Sequence, residues 1–294
     1  MNLSDIHIRD PFVLPVLSND RYYLYGTMGQ YTWGDTAVGF DCYTSADLQT
    51  WEGPFPVFRP PAGFWADRSF WAPEVHAYAG RYYMFASFKA LGVCRGTQIL
   101  AADSPLGPFK PLSAGPVTPP DWECLDGTLF VSPEGTPWIV FCHEWVQVGD
   151  GEVCALPLSE DLSAAAGEPV LLFTASQAPW AQELNSKGRR GNVTDGPFMH
   201  RLLSGELLIL WSSFMDGNYA IGVARSASGN ILGPWQQDTQ PLYSGDGGHC
   251  MTFRDFDGNT WLSLHRPNGF PNERPLFLPL DERRLVHKTG QAAQ

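Results

Sequence analysis

Three aspartates and one histidine stand at a matching distance ahead of apolar runs. Asp10, Asp126, Asp195 and His249 lie twelve residues before Tyr22, Trp138, Leu207 and Trp261. Carboxylates facing one another across a pocket suit hydrolysis of a glycosidic bond. One carboxyl with a raised pKa protonates the leaving oxygen, and another activates a water on the opposite face of the sugar. An inverting enzyme seats that water between carboxyls roughly 6.5–9.5 Å apart. A third carboxylate near the acid raises the acid's pKa by repulsion. Taken singly, each aspartate reads as a turn residue, because Asp-Gly and Asp-Pro start turns and Asp bonds its own backbone. Three in one register are different, because like charges around a narrow axis repel and call for a reason.

The elements that would position them form a repeat. Five aromatic and β-branched runs read as strands: YYLYGT at Tyr22, YYMFAS at Tyr82, WIVFCHE at Trp138, LLILWSS at Leu207 and WLSLHR at Trp261. Each follows a shorter apolar strand across hairpin-turn residues: SNDR, AGR, PEGT, SGE and DGN. Third and edge strands follow in 43–54, 100–109, 155–169 and 223–235, and the last unit ends early at 277–282. Four antiparallel strands per unit predict an all-β, five-bladed β-propeller filling residues 1–294 as one domain; a β-sandwich is the competing architecture. In the second blade the equivalent of the aspartates is ambiguous among Trp71, Ala72, Pro73 and Glu74. The second strand of each blade runs back to the face where the first began. That brings Ser87, His143–Glu144, Ser212–Ser213 and His265–Arg266 to the same mouth, where Trp71, Glu74, Glu144, Trp145 and Arg266 are expected to bind substrate. Trp71 and Trp145 are the aromatics placed to stack on a sugar face.

Composition agrees with a sugar enzyme and excludes other classes. The net charge of −12 repels phosphate backbones and anionic lipid, so neither nucleic acid nor membrane is an expected partner. A neutral carbohydrate meets no such barrier. Hydrophobic residues make up 44%, which supplies a sizeable core, and the 30 glycines and 25 prolines suit many short strands joined by turns. The six cysteines form no C-x-x-C pair and read as free, mostly buried thiols. With no basic and apolar leader in MNLSDIHIRDPF, the expected compartment is the cytoplasm, unless a secreted form has been trimmed.

The motifs Arg9-Asp10-Pro11-Phe12, Trp71-Ala72-Pro73-Glu74-Val75, Leu125-Asp126-Gly127-Thr128, Thr194-Asp195-Gly196-Pro197 and Gly247-Gly248-His249 together resemble glycoside hydrolase family 43 over the whole chain and in order. The resemblance implies Asp10 as general base and Asp126 as the residue that orients the acid and tunes its pKa. It implies a hydrated calcium or sodium ion beside His249, although the chemistry requires no cofactor. The family's acid is usually a glutamate before Gly-Pro, where this chain has Asp195. Either Asp195 is the acid, or Glu144 has taken over; Asp195 is favoured because it alone keeps the register. The family includes α-L-arabinofuranosidases, β-xylosidases, endo-arabinanases and exo-galactanases. The chain is expected to end with the propeller, without the β-sandwich that many of those xylosidases add, and it retains the base that exo-galactanases often lack. The expected activity is an inverting, exo-acting α-L-arabinofuranosidase on plant-type polysaccharide. A β-xylosidase, a β-D-galactofuranosidase and an endo-arabinanase are the enzymatic alternatives, and a sugar-binding propeller without turnover is the alternative of another class.

Overall fold

The computed structural model describes residues 1–33, 37–186, 188–226 and 228–286. Four sheets of four antiparallel strands and one of three make the blades. Blade 1 holds β1 (Ile8–Val16), β2 (Arg21–Met28), β3 (Phe40–Ser45) and β4 (Glu52–Phe58), and blade 2 holds β5 (Arg68–Tyr78), β6 (Arg81–Ala90), β7 (Val93–Ala102) and β8 (Lys110–Pro111). Blade 3 holds β9 (Cys124–Val131), β10 (Pro137–His143), β11 (Glu152–Pro157) and β12 (Val170–Thr174). A short helix α1 (Trp145–Val148) follows β10, and a hairpin of β13 (Leu184–Ser186) and β14 (Arg189–Gly191) precedes blade 4. Blade 4 holds β15 (Asp195–Arg201), β16 (Leu207–Met215), β17 (Asn218–Ser226) and β18 (Gln236–Gln237); blade 5 holds β19 (Gly248–Arg254), β20 (Thr260–Arg266) and β21 (Arg274–Pro279). The first strands β1, β5, β9, β15 and β19 contact one another in turn, and β19 meets β1 to close the ring. The expected five-bladed propeller is therefore present, with three strands rather than four in the last blade among the described residues.

The apolar faces of each blade pack on the next. Phe40, Phe58, Phe70 and Phe88 interlock between blades 1 and 2, while Trp180 and Trp211 join blades 3 and 4. Each fully buried side chain of this size contributes about 1.5–3 kcal/mol by leaving water. Truncating one, as in Phe88→Ala, costs about 3–5 kcal/mol because the cavity collapses only in part.

Every first strand carries a β-bulge at the same level. Asp10-Pro11, Ala72-Pro73, Asp126-Gly127, Gly196-Pro197 and His249-Cys250 each set two residues against one on the second strand. The first of each pair is left-handed, with φ of 54°, 47°, 58°, 49° and 50°. Aspartate and histidine reach this region more readily than most residues, and glycine reaches it freely. The bulges correct the twelve-residue register. Asp10, Ala72, Asp126, Gly196 and His249 are the equivalent positions, so Asp195 stands one residue earlier, level with Arg9, Trp71, Leu125 and Gly248. The count of twelve returned Asp195 because Leu207 lies one residue further from the ring partner of its strand, Ser212, than Trp138 and Trp261 lie from Cys142 and His265, and only the bulge marks true equivalence.

A second ring holds the bulges in place. The residue of the second strand opposite each pre-bulge position is Thr27, Ser87, Cys142, Ser212 or His265. The bulge N–H of the next blade bonds to it: Ala72 to Thr27 at 2.7 Å, Asp126 to Ser87 at 2.9 Å, His249 to Ser212 at 2.8 Å and Asp10 to His265 Nδ1 at 3.2 Å. Cys142 takes the third place, where His143 was expected, and there the N–H of Gly196 bonds to Asp126 Oδ2 instead, at 3.0 Å. A left-handed non-glycine costs about 1–2 kcal/mol, and a satisfied buried N–H helps to offset it.

Candidate active site

The bulges deliver one or two side chains per blade to a single pocket of about 350 Å³ at one end of the axis. Its floor is made by Arg9 and Asp10 from blade 1, Asp126 from blade 3, Asp195 from blade 4 and His249 from blade 5. Trp71, Glu144 and Trp145 line it as expected, while Glu74 and Arg266 do not. Glu74 directly follows its bulge, is buried outside the pocket lining, and bonds His76 Nε2 at 3.0 Å. Arg266 is exposed at the end of β20. Reading the ambiguous second blade one notch too far, and the return of β20 one residue too far, explains both corrections.

Asp10 is buried among cations and donors. Its Oδ2 accepts from Thr27 Oγ1 at 2.5 Å, and its Oδ1 lies 3.3 Å from His249 Nδ1. Burial alone would raise its pKa, yet His249, Arg9 and the Thr27 hydroxyl together pull it below the ordinary value. Asp10 is thus held as the carboxylate. His265, although 3.4 Å from Asp10 Oδ1, is not an ion-pair partner: burial, then the Arg9 charge, pushes its pKa down to about 3. As a neutral ring it accepts the Asp10 N–H at Nδ1, so Nε2 carries the proton and donates to Asn268 Oδ1 at 3.2 Å.

Asp195 is the opposite case. Burial, then repulsion from Asp126, lifts its pKa to about 8, against the pull of His249 and a 3.0 Å bond from Tyr219 Oη. Asp126 is itself raised to about 6, first by burial and, against the pull of His249, by the Asp10 charge. Its bond to the N–H of Gly196 fixes the backbone that carries Asp195. Blades 1 and 4 are not neighbours in the ring, so Asp10 and Asp195 approach the pocket from different sides. One carboxylate and one carboxylic acid over a shared cavity form an acid–base pair.

Glu144 sits on the third-blade wall in an ion pair with Arg95, whose guanidinium stacks 4.2 Å from the Trp71 ring centroid. Burial raises the Glu144 pKa and Arg95 counters it. Protonating Glu144 would break that pair, whereas protonating Asp195 relieves a repulsion. Burial lowers the pKa of His249, but Asp10, Asp126, Asp195 and Glu74 raise it more, and the imidazolium is favoured. It therefore supplies the positive charge that the carboxylates need. Its Nδ1 faces Asp10 and Asp126, at 3.3 and 3.6 Å, and among the described residues no three His, Cys, Asp or Glu side chains gather as a metal group. The donor set does not fit a directly ligated ion.

Sequence reasoning passed over several wall residues. Arg9 stands level with Asp195 and lies 5.3 Å from the Trp33 ring centroid. Trp33, Tyr219, Asn268 and Phe270 also line the pocket, with Leu184 and Ser186 of the β13–β14 hairpin. The one available signal was Arg9, which the first-blade motif places beside Asp10.

The match to known proteins decides the family. Residues 4–281 match the model of glycosyl hydrolases family 43. The chain belongs to family 43. A solved endo-arabinase from Bacteroides thetaiotaomicron VPI-5482 is 45% identical, with a TM-score of 0.90 over 99% of each chain. An extracellular exo-α-(1→5)-L-arabinofuranosidase from Cellvibrio japonicus is 21% identical, covering 89% of this chain and 79% of its own. An extracellular endo-α-(1→5)-L-arabinanase from Bacillus subtilis is 23% identical over about a third of each chain, 36%. As a family 43 member the protein is an inverting glycosidase, which sets aside the propeller without turnover. Among the described residues no helix is long and apolar enough to cross a membrane.

Proposed function

We propose that this glycosidase releases terminal α-L-arabinofuranose from arabinan-type chains. Acid–base cleavage rests on one observation, that Asp10 and Asp195 reach one pocket from different sides with pKa values pushed in opposite directions, and the choice of arabinose rests on the endo-arabinase and exo-arabinofuranosidase that the chain resembles. Asp10 takes a proton from the water that attacks the anomeric carbon. Asp195 gives its proton to the departing oxygen. Asp126 keeps Asp195 protonated by repulsion and aims it through the Gly196 N–H. Glu144, paired with Arg95, binds the sugar. An ion beside His249 would be held through water.

Exo action is supported by the wall. Trp33, Trp71, Trp145, Tyr219 and Phe270, one from each of the five blades or the connections within them, line the pocket. A volume of about 350 Å³ matches a small ligand rather than a long chain. The 45% identical endo-arabinase favours the second reading, internal cleavage. The products from linear α-1,5-arabino-oligosaccharides separate the two. Exo action gives arabinose from the first time point, with the parent shortened one unit at a time. Early oligosaccharides in place of arabinose overturn the exo reading, and turnover only of aryl xylosides or galactofuranosides overturns the arabinose reading.

A further inference from the structure

We propose that Glu273, a carboxylate buried at the end of the connection from β20 to β21, is a positioning residue that aims Arg9 at the sugar; this rests on the substrate reading above. Glu273 has no solvent exposure. Its Oε1 accepts from Arg9 Nη1 at 2.9 Å. Its Oε2 is buried without a hydrogen bond; His7 Nε2, also without one, stands 3.5 Å away. A carboxylate left half-satisfied in the interior is costly, and natural chains retain such groups where they hold something in place.

What it holds is a chain of contacts ending at the base. Arg9 Nη2 donates to Asn268 Oδ1 at 2.9 Å, and the same oxygen accepts from His265 Nε2, whose Nδ1 receives the N–H of Asp10. Arg9 and Asn268 both line the pocket. Guanidinium carries five N–H donors in a rigid fork, and these two bonds use two of them. The remaining donors suit the hydroxyls of a neutral furanose. Anchoring at Glu273 and Asn268 removes the rotamer freedom that a free arginine would lose on binding. Glu273 also roots the segment 267–272, which brings Asn268 and Phe270 to the wall, and its own carbonyl accepts from Arg274 at 2.7 Å. Asp195 holds the position equivalent to Arg9 on blade 4, so an acid and a cation occupy one register on two sides of the pocket.

The test is a double-mutant cycle on p-nitrophenyl α-L-arabinofuranoside. Glu273→Gln is expected to raise KM about ten-fold and to leave kcat within about three-fold, the mark of lost ground-state binding. Glu273→Asp keeps the charge but falls one methylene short, and is expected to raise KM several-fold; it carries the test if the glutamine variant does not fold. In an Arg9→Ala background, Glu273→Gln should cost nothing further in kcat/KM, because its effect travels through Arg9. Losses that multiply, or a fall in melting temperature with KM unchanged, overturn the inference alone. Failure of the unmodified protein to turn over the arabinofuranoside overturns the substrate reading and this inference with it.

Discussion

Replacing Asp126 with asparagine removes one charge from the centre of the site while keeping its shape. The asparagine Oδ1 can still accept from the Gly196 N–H, so the backbone of Asp195 stays in place. What disappears is the repulsion that, after burial, contributes most to lifting Asp195 to about 8. At the far end of the ~4–6 Å range over which neighbouring charges shift one another, and at an effective dielectric of ~20, such a repulsion is worth about 3 kcal/mol, or about two pH units. Burial remains, so the group should settle near pH ~6 rather than at the ordinary aspartate value of about 4. An acid works while protonated, so the basic limb of kcat/KM falls with it. At pH 7 the protonated fraction drops from ~0.9 to ~0.1, about ten-fold, whereas at pH 5 it hardly changes. The assay is arabinose release from arabinobiose across pH 4–10, because a poor leaving group makes the proton indispensable. A basic limb that stays put, or moves upward, refutes the electrostatic role given to Asp126, whatever happens to the plateau rate.

Two other outcomes follow from the same charges. Asp10→Asn should abolish turnover of every substrate, since the other ionised carboxylates described at the pocket are engaged, Asp126 with the Gly196 N–H and Glu144 with Arg95; retention of more than about a hundredth of the activity would remove Asp10 from the mechanism. Asp195→Asn should be more stable than the parent at alkaline pH. A carboxyl raised in the folded state contributes stability that is present below about pH 4 and lost as pH rises towards 8. The melting-temperature gain should therefore be a few degrees at pH 9 and vanish at pH 4, as thermal melts at the two values will show.

Much of this was legible from the chain, and the failures have physical causes. The hairpins announced themselves through aromatic strands and turn residues, and the motifs placed Asp10, Asp126, Asp195 and His249 at one mouth. The register was misread because strand starts are poor landmarks. A left-handed residue followed by proline or glycine recurs as Asp10-Pro11, Ala72-Pro73, Asp126-Gly127 and Gly196-Pro197, and that pattern would have aligned the blades correctly. Glu74 was misplaced for the same reason: past the bulge, successive side chains alternate again between faces. Arg266 was misplaced because the end of a strand says nothing of where the next loop turns. Glu273 gave no sign at all. It meets Arg9 across 264 positions of sequence, in a blade whose pairing only ring closure brings about.

The central claim is that Asp195, not Glu144, delivers the proton, and leaving-group dependence tests it most directly. An aryl arabinofuranoside with an acidic phenol departs with little help, whereas arabinobiose needs full protonation. Asp195→Ala is predicted to lose about 10²–10³-fold on arabinobiose and less than about ten-fold on the activated aryl substrate. Glu144→Gln, which disturbs only the Arg95 pair and the sugar contact, should lower both rates alike. If Glu144→Gln shows the split and Asp195→Ala does not, the acid resides on the third blade and the assignment is wrong.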